Sequence, residues 1–175
     1  MLLMTVAFAP LILILAAAIC DGRSMLIPNW ISIALVLLYF PAALIGQYEW
    51  PDIAMNSGFA VATFVVCAGL FYAGLFGGGD AKLIPAIAIW YGFPNGLVFL
   101  VFMAAFGGVL AIALVIARKL VPAPAGPAWL TRMLTPGEGV PYGLAIAAGA
   151  FATWGYVPIA QWALHTQGLP PLTMP

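Results

Sequence analysis

Five stretches of this sequence, at about residues 2–20, 30–47, 53–76, 96–117 and 140–162, are apolar over roughly the 20 residues that a helix needs to cross a bilayer. No other feature constrains the fold as much. In lipid every backbone N–H and C=O must be satisfied within the protein, which leaves only helices or closed barrels. Long apolar runs without alternation are helical in pattern. A sixth run, about residues 81–92, is too short to cross unaided, because a dozen helical residues reach only about 18 Å. Only 6% of the 175 residues are charged and 65% are hydrophobic, whereas a soluble domain carries about a quarter charged residues. The expectation is an all-α membrane protein. It should be a bundle of about six transmembrane helices, the fourth short, forming one domain over residues 1–175.

Several function classes are disfavoured at once. The net charge is zero and no basic stretch offers a footprint for nucleic acid. Cys20 and Cys67 are far apart in apolar segments, which gives neither metal-ligand spacing nor a disulfide framework. There is no HExxH zinc motif, so neither a metal nor a cofactor is expected. The first 20 residues resemble a signal peptide only in Ala16-Ala17-Ala18, and nothing before them is basic. They read better as the first membrane helix.

The basic residues set the orientation. If the short segment crosses, Arg23, Lys82, Arg118, Lys119 and Arg132 all fall on one side, the cytoplasmic one, and Glu49 and Asp52 fall on the other. The stretch Gly77-Gly78-Gly79-Asp80 then lies partly within the bilayer, where irregular backbone survives only if protein or a water-filled cavity surrounds it. Between Val121 and Gly139, Trp129, Leu130, Met133 and Leu134 are spaced as on one face of a short interfacial helix. Gly139 with Gly143, and Gly69 with Ala73, carry the small-residue spacing that permits close helix packing.

Two aspartates remain to be explained. Asp21 follows the first apolar run and Asp80 opens the fourth, both at the cytoplasmic edge. Ionisable groups at membrane depth are costly and are functional candidates by default. Two carboxylates a few ångströms apart cannot both ionise easily, so one keeps its proton. Such a pair can take a proton from water with one member and polarise a peptide carbonyl with the other. No serine–histidine–acid set competes, since the only histidine is His165 near the far-side end. There are blander readings. Asp80 suits an N-cap after a glycine-terminated helix, and Asp21 a solvated loop charge beside Arg23. Asn29 suits the N-cap of the second helix with Pro28 fixing its entry, Lys82 a lipid-phosphate contact, and Glu138 the positive end of the last helix.

Three motifs bear on the choice. Asp21 is followed by a short polar linker and then Ile27-Pro28-Asn29. Gly77-Gly78-Gly79-Asp80-Ala81-Lys82 reads as GxGD followed by xK. Pro141-Tyr142-Gly143 opens the last apolar run. In this order and on one membrane face they resemble the type IV prepilin peptidases, and most of the chain participates. Presenilin-like proteases share GxGD but lack the Ile-Pro-Asn element. The resemblance implies an aspartic endopeptidase of the bacterial inner membrane that removes prepilin leaders at the cytoplasmic face. Asp21 and Asp80 would be catalytic, Gly77 and Gly79 the flexible backbone beside the second, and Pro28, Asn29 and Lys82 supporting residues. Its partners would be a prepilin or pseudopilin substrate and membrane lipid. Larger members carry a cytoplasmic region with paired CxxC motifs tied to methylation of the new pilin N-terminus. No CxxC occurs here, and the chain is more similar to the compact subgroup serving Flp-type (tight adherence) pili.

A rival class is a small proton- or cation-coupled transporter or assembly subunit using the same two aspartates. Transporters more often place such groups near the midplane, on broken helices in matching halves, and no internal repeat is visible. A purely structural scaffold leaves the paired acids unexplained.

Overall fold

The computed structural model describes residues 2–121, 126–135, 137, 139–166 and 168. Glu138 lies outside the described residues. The elements are α1 (Leu2–Ser24), α2 (Asn29–Ile45), α3 (Trp50–Tyr72), α4 (Asp80–Tyr91), α5 (Asn95–Leu120), α6 (Ala128–Leu134), α7 (Tyr142–Thr153) and α8 (Pro158–Thr166), with a 3-10 turn at Trp154–Tyr156. No strand occurs among the described residues. The protein is an all-α membrane protein. Residues 3–24, 50–72 and 95–120 are long and apolar enough to cross a bilayer, and α7 with α8 makes a fourth, bent unit. At 17 residues α2 falls somewhat short by length, and α4 has only 12.

The short α4 is the centre of the bundle. Every one of its residues but Asp80 and Lys82 is buried. A helix that is apolar all round belongs inside, not at a lipid boundary. It packs on α3, α2, α5 and α7. Its C-terminal end is fixed by aromatic side chains that hydrogen-bond to main-chain carbonyls. Trp90 Nε1 donates to Leu35 O (3.1 Å) on α2, and the Tyr91 hydroxyl donates to Ala150 O (2.9 Å) on α7. Trp154 Nε1 donates to Ala7 O (3.1 Å), joining the turn after α7 to α1. The rings pack edge to face: Tyr39 on Trp90 and Tyr91 on Trp154, each with centroids 5.7 Å apart.

Two boundaries differ from the expectation. The helix carrying Asp21 does not end before it: α1 continues to Ser24, because helical hydrogen bonding outlasts the apolar pattern by one turn. Met25 N–H donates to Asp21 O (2.8 Å), and the chain leaves through Met25 at φ 54°, a left-handed exit of the kind that ends many helices. The last apolar run is also not one straight helix. It breaks at Trp154–Val157, and its two parts are bent by 50°. Pro158 is the cause, since it holds the preceding Val157 extended (φ −72°, ψ 120°).

Of the expected packing glycines only Gly143 meets a close neighbour, on α1. A side chain at Gly69 or Gly139 would meet nothing within 4 Å among the described residues. Another close approach lies between α7 and α5, where a Cβ on Gly149 would come 2.7 Å from the Met103 backbone nitrogen. Spacing identified small residues but could not say which faced a neighbour. Overpacking of this kind typically costs about 1–3 kcal/mol. Gly149→Ala should therefore lower the thermal unfolding midpoint in detergent, while Gly69→Ala should leave stability within about 0.5 kcal/mol. Equal effects of the two substitutions would contradict the packing.

Candidate active site

All the chain segments carrying the three motifs meet at one end of the bundle. Asp21 sits one turn before the end of α1, only 6% exposed. Its Oδ2 accepts the backbone N–H of Gly143 (2.7 Å), in the first turn of α7. That is the positive end of a helix, where an anion is favoured and unpaired N–H groups are available. The fit needs a residue without a side chain, because a Cβ on Gly143 would come 2.8 Å from the Asp21 Cβ. Asp21 is thus a positioned, buried carboxylate and not a solvated loop charge.

Asp80 is the first residue of α4, and the N-cap position belongs to Gly79. The N-cap reading therefore fails. Its Oδ2 lies against the backbone of Gly77, whose N–H faces the carboxylate. Its Oδ1 is buried with no hydrogen-bond partner among the described residues. The Asp21 and Asp80 carboxyl groups, with 58 residues of chain between them, lie within electrostatic range of each other.

The glycine turn before Asp80 works by leaving space. None of Gly77, Gly78 and Gly79 has positive φ. Instead a Cβ at Gly77 would come 2.8 Å from Asp80 Oδ2, one at Gly78 3.2 Å from the Phe71 ring, and one at Gly79 3.0 Å from the Ile27 Cβ. Gly79 is therefore where the Ile27-Pro28-Asn29 motif seats against the Asp80 turn.

The other supporting residues join α4 to the start of α2. Lys82 Nζ donates to Asn29 Oδ1 (3.1 Å), tying α4 to the start of α2. Pro28, extended at φ −61° and ψ 133°, precedes the helix, and Asn29 does not cap it. Two residues on a helix are roughly 200° apart, so Lys82 and Asn29 sit on the side of α4 away from the Asp80 carboxylate.

Two residues near the pair were quoted in the third motif without a role: Gly143, described above, and Tyr142. The Tyr142 ring packs on Phe76 with centroids 6.1 Å apart, and its hydroxyl lies against Gly107 of α5. It is within electrostatic range of Asp80. The Pro141-Tyr142-Gly143 pattern was the only signal available, and nothing in sequence spacing aims it at Asp21. The same end is closed by Arg118, which donates to Met133 O (3.1 Å) and Gly139 O (2.8 Å), and by Arg132, which reaches Ser24 O (3.4 Å). These bonds seat α6, the short helix expected from its apolar spacing, beside the ends of α1 and α5.

Against known proteins, residues 7–112 match the type IV leader peptidase family. The chain belongs to that family. The matched span holds both aspartates, the glycine turn, Pro28, Asn29 and Lys82, while the donor to Asp21 comes from outside it. A relative named prepilin peptidase EppA, from Methanocaldococcus jannaschii, is 34% identical over 88 residues, which is 50% of this chain. The aligned part covers 24% of that relative's length. No solved structure matches the chain.

The pairing of the two carboxylates can be checked without an activity assay. In a chain freed of Cys20 and Cys67, cysteines placed at 21 and 80 should join through a short crosslinker. A control pair at 21 and 52 should not. Failure of the first pair with short reagents and success only with long ones would mean that the acids stand apart.

Proposed function

We propose that this protein is a membrane-embedded aspartic endopeptidase that removes leader peptides from type IV prepilins. The observation that carries the reading is the paired placement of Asp21 and Asp80. Each is held from one side by a glycine backbone N–H, and Asp80 keeps a buried oxygen with no partner among the described residues. A buried acceptor left unpaired calls for a functional explanation, and a substrate group or attacking water supplies one. Family membership and the named relative support the same chemistry.

The two carboxyl groups share one proton, as closely placed acids do. The ionised member takes a proton from water as the water oxygen attacks the scissile carbonyl carbon. The protonated member donates to the carbonyl oxygen, giving a neutral tetrahedral diol. Collapse breaks the C–N bond, with the proton passing to the leaving nitrogen and the hydroxyl proton returning to the pair. No group on the enzyme becomes covalently attached. The Gly143 N–H fixes the Asp21 carboxylate, and Gly77 does the same for Asp80, so little reorganisation precedes proton transfer.

Its substrates would be Flp-type prepilins, with residues 1–175 acting as one peptidase domain. Arg23, Lys82, Arg118 and Arg132 belong to segments gathered at the aspartate end. Under the positive-inside rule that end faces the cytoplasm of a bacterial inner membrane. Prepilin leader cleavage would then occur at the cytoplasmic surface.

Asp21→Asn and Asp80→Asn should each abolish leader removal, by more than about a hundredfold for loss of general acid–base catalysis, while the purified proteins remain folded. Glu49→Gln and Asp52→Asn, at the opposite end, should process prepilin nearly normally. The readout is the shift of a co-expressed Flp-type prepilin on immunoblots. Substantial cleavage by either aspartate variant would rule out the dyad.

Orientation is tested separately with reporter fusions. Those after Arg23, Lys82 and Arg132 should report cytoplasm, and those after Glu49 and Asn95 the outer side. A cytoplasmic signal at Asn95 would show that α4 does not complete a crossing.

A further inference from the structure

A cavity of about 630 Å3 lies between α2, α3 and α4, on the side of α4 that carries Lys82. Its walls are apolar. Leu37, Phe40, Val61 and Phe64, all exposed, open it sideways toward the surrounding lipid, while Ile89 of α4 lies along its floor. At the aspartate end it is closed by Lys82 and Asn29, both exposed. No acidic side chain lines it.

The polar mouth is built of donors. Lys82 gives one N–H to Asn29 Oδ1, which leaves two ammonium donors and both amide donors of Asn29 for an incoming acceptor. The first turn of α2 beside them has no side-chain cap, so its leading N–H groups add to the same positive potential. Among the described residues no carboxylate pairs with this cation. A long apolar slot with an unneutralised positive mouth at the level of the membrane surface fits one kind of molecule: an acyl chain bearing an anionic headgroup. The aspartate pair lies across α4 from the slot, so a molecule seated here is not positioned to reach the reacting carboxylates. That separation argues for a lipid and against a peptide awaiting cleavage.

We propose that this groove is a binding site for an anionic glycerophospholipid drawn from the bilayer, with one acyl chain between α2 and α3 and its phosphate on Lys82 and Asn29. Basic pockets between membrane helices on the cytoplasmic side are the usual setting for such headgroups. The bound lipid fills the wedge between α2 and α3 and leaves the Lys82–Asn29 tie intact. The site is separate from peptide hydrolysis, and its test does not depend on cleavage.

The experiment is native mass spectrometry of the full chain released from nanodiscs containing equal amounts of phosphatidylglycerol and phosphatidylcholine. The wild type should retain phosphatidylglycerol in preference to phosphatidylcholine. Lys82→Gln should reduce that preference about fivefold, the worth of one basic side chain at an anionic surface, and Lys82→Arg should restore most of it. Val61→Trp, at an exposed wall position, should fill the slot and reduce retention of both lipids. A preference that Lys82→Gln leaves unchanged overturns the proposal, as does equal retention of the two lipids by the wild type. A photocrosslinker at position 64 should label lipid; labelling of prepilin or another protein there instead would also overturn it.

Discussion

Everything in this structure is arranged around one short helix. With 12 residues, α4 spans only about 18 Å, and the glycine turn that precedes it leaves main-chain groups that lipid cannot satisfy. The only solution in a membrane is to wrap the helix in protein. The other helices do so, and two side chains at the C-terminal end of α4 hydrogen-bond to carbonyls on α2 and α7. Because that end is fixed, the opposite end is held at a definite depth. There the chain presents Asp80 at the start of a helix, with one carboxylate oxygen lacking a partner among the described residues.

The second carboxylate is placed by different means. Asp21 lies on the long α1 and is secured by the first turn of α7, through the N–H of Gly143. Helix termini are the one place in a membrane bundle where backbone donors remain unpaired, so a buried acid is least costly there. The fold thus brings one acid to a helix end and starts a helix with the other. The glycines at 77, 79 and 143 let backbone, carboxylate and the Ile27 side chain come within contact that a Cβ would prevent. Glycine here supplies room.

Lys82 illustrates how one motif can face two sides of a helix. Its separation from Asp80 by two residues turns it to the opposite side of α4, where it binds Asn29 and borders the lipid-facing groove. Residues that read as a single signature therefore divide into a carboxylate side and a membrane side. The short helix serves both because it is central, with a different set of neighbours on each face.

The apolar runs determined the all-α membrane fold and nearly every helix, because lipid permits so few alternatives. The order of the Asp21, Asp80 and Ile27-Pro28-Asn29 motifs was enough to name the family. What the chain could not state was contact. Asp21 looked like a loop residue because its helix outlasts the apolar pattern by a turn, and the bend at Pro158 was hidden inside an unbroken apolar run. Gly143 carried no sign that its N–H would meet a residue 122 positions away. Gly69 and Gly149 are alike in one dimension, yet only Gly149 faces a neighbouring backbone. Hydrophobicity is a property of each residue and can be read along the chain. Proximity of the two carboxylates, the side of α4 on which Lys82 falls, and the donor for Asp21 depend on how helices pack, and only the tertiary structure decided them.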